Sequence, residues 1–143
     1  MTAVLVGVDI VSADRLTRAV ARGGATLARH VGPGMEAFPV KESFIKAVGA
    51  RPPGFSWHDF EAAAEPPPPW AGELLDEAAA ELTAATGLIL TGGAAYVLRG
   101  ACQEAARLRL AGPVAGAARW GSGAGLLVSL AVVYVDRKDT RCP

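Results

Sequence analysis

At 143 residues, with 51% hydrophobic and 20% charged residues, the chain has the length and composition of one globular domain and not of a disordered segment. Its 14 Lys and Arg balance its 14 Asp and Glu, which excludes a nucleic-acid binder working through overall charge and makes any basic surface local. The most apolar run, residues 123–135, is too short to span a bilayer; Cys102 and Cys142 fit no CxxC or metal-ligand spacing, and no positively charged leader precedes Asp9, so a reduced cytoplasmic protein is expected.

Residues 3–10 (AVLVGVDI) are apolar and rich in valine, and predict a first strand. Ser12 or Asp14 can cap the following helix, expected over 13–30, which Gly23-Gly24 is expected to kink or split and Gly32-Pro33-Gly34 to stop. A second helix is predicted over 38–48, with Pro39 in its first turn and Gly49 as its C-cap. Arg51-Pro52-Pro53-Gly54 makes a turn, residues 56–64 read as a short strand or a helical turn, and Pro66–Pro69 as a rigid extended spacer. An amphipathic helix over 70–86 carries Glu73, Asp76, Glu77 and Glu81, with a Leu74/Leu75/Ala78/Leu82 face for packing. Residues 88–90 and 94–98, flanking Gly92-Gly93, read as a hairpin. A helix over 101–110 and strands over 114–120 and 126–135 complete an α+β chain with a mainly antiparallel sheet.

The chemistry-bearing residues cluster early. Asp9 interrupts an apolar strand, where an unpaired charge is expensive and a metal or strong hydrogen-bond partner is expected; otherwise it is a strand-end turn residue. Glu42 and Lys46 stand four apart on one helix face, a spacing that in isolation means a surface ion pair worth a few tenths of a kcal/mol. Lys41 points roughly 100° away around the helix. Arg15, Arg18 and Arg22 line one face of the first helix, with Arg29 farther on, as a basic stripe or an ordinary solvated face. His58 reads as a polar turn residue and Cys102 as a small core residue.

Gly7-Val8-Asp9-Ile10 followed by the helix Lys41-Glu42-Ser43-Phe44-Ile45-Lys46 resembles the paired motifs of the holo-acyl-carrier-protein-synthase type of 4'-phosphopantetheinyl transferases. Gly54–Glu61 (GFSWHDFE), Leu98-Arg99-Gly100 with its following helix, and the last apolar strand extend that resemblance to about three quarters of the chain. It implies one transferase-like domain over 1–143 with a helical insertion at about 66–93. It also implies transfer of 4'-phosphopantetheine from coenzyme A to a carrier-protein serine, for a polyketide or other specialised pathway. Charge builds on phosphoryl oxygens in such a reaction, so positioning and electrostatic stabilisation are what the site must supply.

By the same resemblance, Asp9 and Glu42 hold Mg²⁺, which favours one or two carboxylates with phosphate oxygens and water. Lys46 then reaches a phosphate or helps deprotonate the incoming serine, and Lys41 meets phosphate at the edge. Arg15, Arg18 and Arg22 dock an acidic acyl carrier protein. Members of this size assemble as trimers. Three departures stand out: the segment before the KE helix is short, Ala37 occupies the place of an arginine, and Ser122 that of a histidine, both groups that help hold coenzyme A. These leave room for two other readings: a divergent enzyme of isomerase, dehydratase or cyclase type on a carrier- or CoA-bound chain, and a non-catalytic carrier-binding subunit.

Overall fold

The computed structural model describes residues 3–31 and 34–136, with the backbone alone over 23–31. Gly32-Pro33, the side chain of Arg29, and Cys142 thus lie outside what is described. The elements run β1 (Val4–Ser12), α1 (Ala13–Val31), α2 (Ala37–Val48), a turn of 3-10 helix (Trp57–Asp59), β2 (Phe60–Ala63), α3 (Pro69–Thr86), β3 (Gly92–Leu98), α4 (Gly100–Leu110), β4 (Val114–Gly123) and β5 (Leu126–Val135). The five strands form one antiparallel sheet in the order β1-β5-β4-β3-β2. This is the α+β architecture expected from the sequence.

The two faces of the sheet bury different elements. Strand residues alternate sides, so Leu5, Gly7 and Asp9 of β1 look one way while Val4, Val6, Val8 and Ile10 look the other. On the first side, Val40, Phe44 and Val48 of α2 and Cys102 and Ala106 of α4 pack with Leu98, Ala131 and Val133 of the sheet. On the second, Ala71 and Leu75 of α3 meet Ala117, Leu130, Val132 and Tyr134, with Leu74, Ala78 and Leu82 partly buried around them. Trp70 sets its ring edge-on to Tyr134 at 5.0 Å, and Arg119 pairs with Asp76 across the same contact at 2.5 Å.

Gly7 fixes the distance between β1 and α2. A Cβ there would overlap the backbone carbonyl of Ser43 and stand 2.6 Å from the Ala47 nitrogen, so only glycine lets the helix lie this close. The β4–β5 hairpin closes on Ala124-Gly125, both at positive φ (51° and 77°), as a two-residue turn of the primed kind demands.

Three expectations are corrected. Gly23-Gly24 does not split the first helix: α1 is continuous over 19 residues. Two glycines weaken a helix by about 1 kcal/mol each but, unlike proline, remove none of its hydrogen bonds. Residues 88–98 are not a hairpin; residues 88–90 form no strand and Gly92-Gly93 begins β3. Trp120 and Arg119 of β4 lie across the two glycines where side chains would stand, so this pair serves a close cross-strand approach and not a turn. Of the spacer, Pro69 belongs to α3 as its first residue, where a missing N–H does no harm. The segment over 56–64 contains both of its anticipated alternatives, the 3-10 turn and then β2.

Candidate active site

β1 and α2 bring the acidic strand residue and the KE helix face together. Asp9 is buried, and its Oδ1 accepts a 2.7 Å hydrogen bond from Lys46 Nζ, whose side chain is about half exposed. Directly across on β5, Ser129 donates to the carbonyl of Pro39 at 2.6 Å, pinning the start of α2 to the strand beside Asp9.

Glu42 does not pair with Lys46, as the four-residue spacing suggests. Its Oε1 accepts a 2.6 Å hydrogen bond from Arg51 Nη2. Each carboxylate thus gives one oxygen to a cation from another element. The second oxygens, Asp9 Oδ2 and Glu42 Oε2, accept no hydrogen bond among the described residues.

Lys41, on the neighbouring helix face, donates to the carbonyl of Trp57 at 2.9 Å. Its half-buried ammonium loses water on that side, which lowers its pKa below the usual lysine value despite the opposing pull of Glu61. Arg51 sits over the rings of Phe55 and Trp57, 5.4 and 5.1 Å from their centroids. Phe38 extends the aromatic group, 5.6 Å from Trp57.

The remaining candidates belong to other elements. Ser122 is exposed near the end of β4, opposite Leu127. Asp9, Ser129 and Trp120 stand in one row across β1, β5 and β4, so Ser122, two residues beyond Trp120, shares the Asp9 face toward the β4–β5 turn. Arg15, Arg18 and Arg22 are exposed on α1, and none makes an ion pair among the described residues. His58 is exposed in the 3-10 turn. Cys102 is buried, and burial together with Asp59 pushes its thiol up to about 12, which keeps it protonated at neutral pH.

Two structuring residues were not anticipated. Arg51 reads as part of a turn, yet the aromatic residues four and six places on, Phe55 and Trp57, are the signal for its seat. Asp59 closes a capping box with Ser56. It also accepts from Cys102 N at 3.3 Å, so one carboxylate caps the 3-10 turn and the start of α4 together. The spacing Ser56-x-x-Asp59 is a legible form of that first cap.

Among the described residues no three His, Cys, Asp or Glu side chains gather as a metal cluster. A pair of hard oxygen donors is nonetheless the set Mg²⁺ accepts when phosphate and water complete its shell. Asp9 and Glu42, each with one oxygen that accepts no hydrogen bond among the described residues, are donors of that kind.

No protein-family model matches the sequence, and no curated protein does. Solved structures do match. The chain is similar to the holo-ACP synthase of Plasmodium yoelii, at 11% identity and a TM-score of 0.60, over 96% of this chain and 99% of that one. It is similar to the Helicobacter pylori holo-acyl-carrier-protein synthase in complex with coenzyme A, at 17% identity and a TM-score of 0.54, over 90% and 99% of the two chains. The Chronobacterium ammoniagenes ACPS–CoA complex gives 21% identity and a TM-score of 0.55, over 94% and 99%. The five-stranded antiparallel sheet and its four helices are therefore a holo-ACP-synthase fold.

Proposed function

We propose that this chain transfers 4'-phosphopantetheine from coenzyme A to a serine of an acyl carrier protein, in polyketide or other specialised biosynthesis. The observation that carries this reading is the Asp9–Lys46 contact between β1 and α2, with Glu42 one helical turn before Lys46, in a fold shared with synthases crystallised with coenzyme A. In the reaction the serine oxygen bonds to the phosphorus bearing pantetheine, the pyrophosphate bridge breaks, and 3',5'-ADP leaves.

Asp9 and Glu42 would hold Mg²⁺, which when bound neutralises charge on the pyrophosphate oxygens. Lys46 presents a half-exposed ammonium beside Asp9 and meets the charge that develops on the transferred phosphoryl group. Lys41 borders the site and keeps its helix face against Trp57. Arg15, Arg18 and Arg22 offer a local positive face to an acidic carrier protein, which speeds a transient encounter. Ser122 lies on the Asp9 face of the sheet and is a coenzyme A contact in this reading. The chain acts as one domain with α3 as an insertion, in the cytoplasm, as a homotrimer.

A second reading keeps the fold and changes the reaction: an isomerase, dehydratase or cyclase on a carrier- or CoA-bound chain, or a non-catalytic carrier-binding subunit. Ala37 and Ser122, where the resemblance expects an arginine and a histidine, favour it. The deciding experiment incubates the protein with apo-carrier proteins, coenzyme A and Mg²⁺ and follows the carrier's intact mass. A phosphopantetheine adduct that disappears with Asp9→Ala and Glu42→Ala supports the transferase. No adduct on any of several carriers, beside a working control transferase, rejects it.

A further inference from the structure

Arg51 is held more firmly than a surface ion pair requires. Its guanidinium lies against Phe55 and Trp57, whose rings are themselves 5.0 Å apart and edge-on, and its Nη2 bonds to Glu42. The Trp57 carbonyl is in turn fixed by Lys41. Despite these restraints the side chain stays about half exposed. A guanidinium has five N–H donors in one plane, and a single carboxylate oxygen takes only part of them. The structure therefore presents an oriented, solvent-accessible, permanently charged fork on Glu42, one of the two candidate metal-binding carboxylates.

We propose that Arg51 is a phosphate-binding residue of this site, resting on Glu42 until a phosphate or pyrophosphate group arrives. This deepens the transferase reading and rests on it for the identity of the phosphate donor. Glu42 would serve two cations in turn. Sharing that carboxylate with a divalent ion would loosen its hold on Arg51, whose N–H donors would then turn to the anion. Bidentate pairing of arginine with phosphate favours that exchange, since the fork matches phosphate geometry and the aromatic shelf already restricts its orientation.

The test compares wild type, Arg51→Met and Arg51→Lys for binding of coenzyme A, inorganic pyrophosphate and Mn²⁺ by calorimetry, after thermal melts show that each variant is folded. Arg51→Met is expected to weaken coenzyme A and pyrophosphate binding by about tenfold or more, with Arg51→Lys between it and wild type. Its Mn²⁺ affinity is expected to hold or rise, because Glu42 loses a competing cation. Coenzyme A bound equally by wild type and Arg51→Met overturns the inference and leaves the transferase reading standing. Loss of Mn²⁺ and coenzyme A affinity together also overturns it, since Arg51 would then only shape the carboxylate pair. Arg51-dependent binding of pyrophosphate without binding of coenzyme A supports the inference and removes the transferase reading. Failure of the wild type to bind either anion ends both.

Discussion

Lys46 has Glu42 one turn back on its own helix and Asp9 on the adjacent strand, and it takes Asp9. Magnitudes explain the choice. An exposed pair four residues apart on a helix is worth a few tenths of a kcal/mol, whereas a mostly buried carboxylate left alone carries a desolvation penalty several times larger. Lys46→Met is accordingly expected to destabilise by about 1–2 kcal/mol, a figure discounted for the exposure of the lysine. Adding Asp9→Asn to it should restore part of that loss, and denaturation of the two single variants and the double variant measures the coupling. Asp9→Asn and Glu42→Gln are each expected to lower transfer by about 100-fold or more while the fold persists, read by carrier mass against far-UV circular dichroism. At this scale the sequence makes the three residues visible and hides their pairing. Residue spacing describes neighbours on one helix, while these partners come from a strand and from a loop. The pairing of Arg51 with Glu42 was hidden for the same reason: Phe55 and Trp57 signal an aromatic seat for the arginine, but its turn gives no hint of folding back to Glu42.

Contacts between elements depend on a few positions where no side chain, or one particular side chain, fits. Gly7→Ala drives a methyl group into the backbone of α2, and overpacking of this kind is expected to cost about 1–3 kcal/mol. The same displacement should lower activity along with stability, since it moves Lys46 away from Asp9. Asp59→Ala removes the cap shared by the 3-10 turn and α4 and is expected to cost about 1–2 kcal/mol, with urea denaturation as the readout. All four helices were legible, because apolar periodicity and end signals agree there. Strand β3 was not. Gly92-Gly93 carries a turn signature, and only the tertiary placement of Trp120 and Arg119 over the glycines shows why small residues are needed.

Across the whole molecule, buried titratable groups set the alkaline limit. Burial and Asp59 raise the Cys102 thiol from 9.0 to about 12, and burial and Asp136 raise the Tyr134 phenol from 10.0 to about 12. Both groups are neutral in the folded state over a range where the unfolded chain ionises. Their contribution is complete below about pH 9 and is lost as pH climbs toward about 12. Lys41 works in the opposite sense, because its lowered pKa lets the folded state shed the proton first, and it offsets part of the loss. The melting temperature is expected to fall steadily above about pH 9, and Cys102→Ala should flatten that decline. No described helix is long and apolar enough to cross a membrane. The α+β architecture was readable from the order of elements, whereas the division of the sheet into an α2–α4 side and an α3 side was not. Strands such as β5 are apolar on both faces, so alternation carries little information about which helix covers which side.

Gly7 and Asp9 bear on the assembly of the sheet as well as on its chemistry. β1 is an edge strand of nearly uniform apolar character, and β5 offers it an equally apolar neighbour. Hydrophobicity alone hardly distinguishes the observed pairing from one displaced by a residue. Such a displacement would turn Asp9 into the packing beneath α3, strand Lys46 without its carboxylate, and set Val8 against the backbone of α2 in place of Gly7. The two residues act as a proofreading mark for strand alignment. Exchanging Asp9 for valine would erase half of that mark, leaving the close fit of Gly7 against α2 to hold newly made chains to one alignment of the sheet.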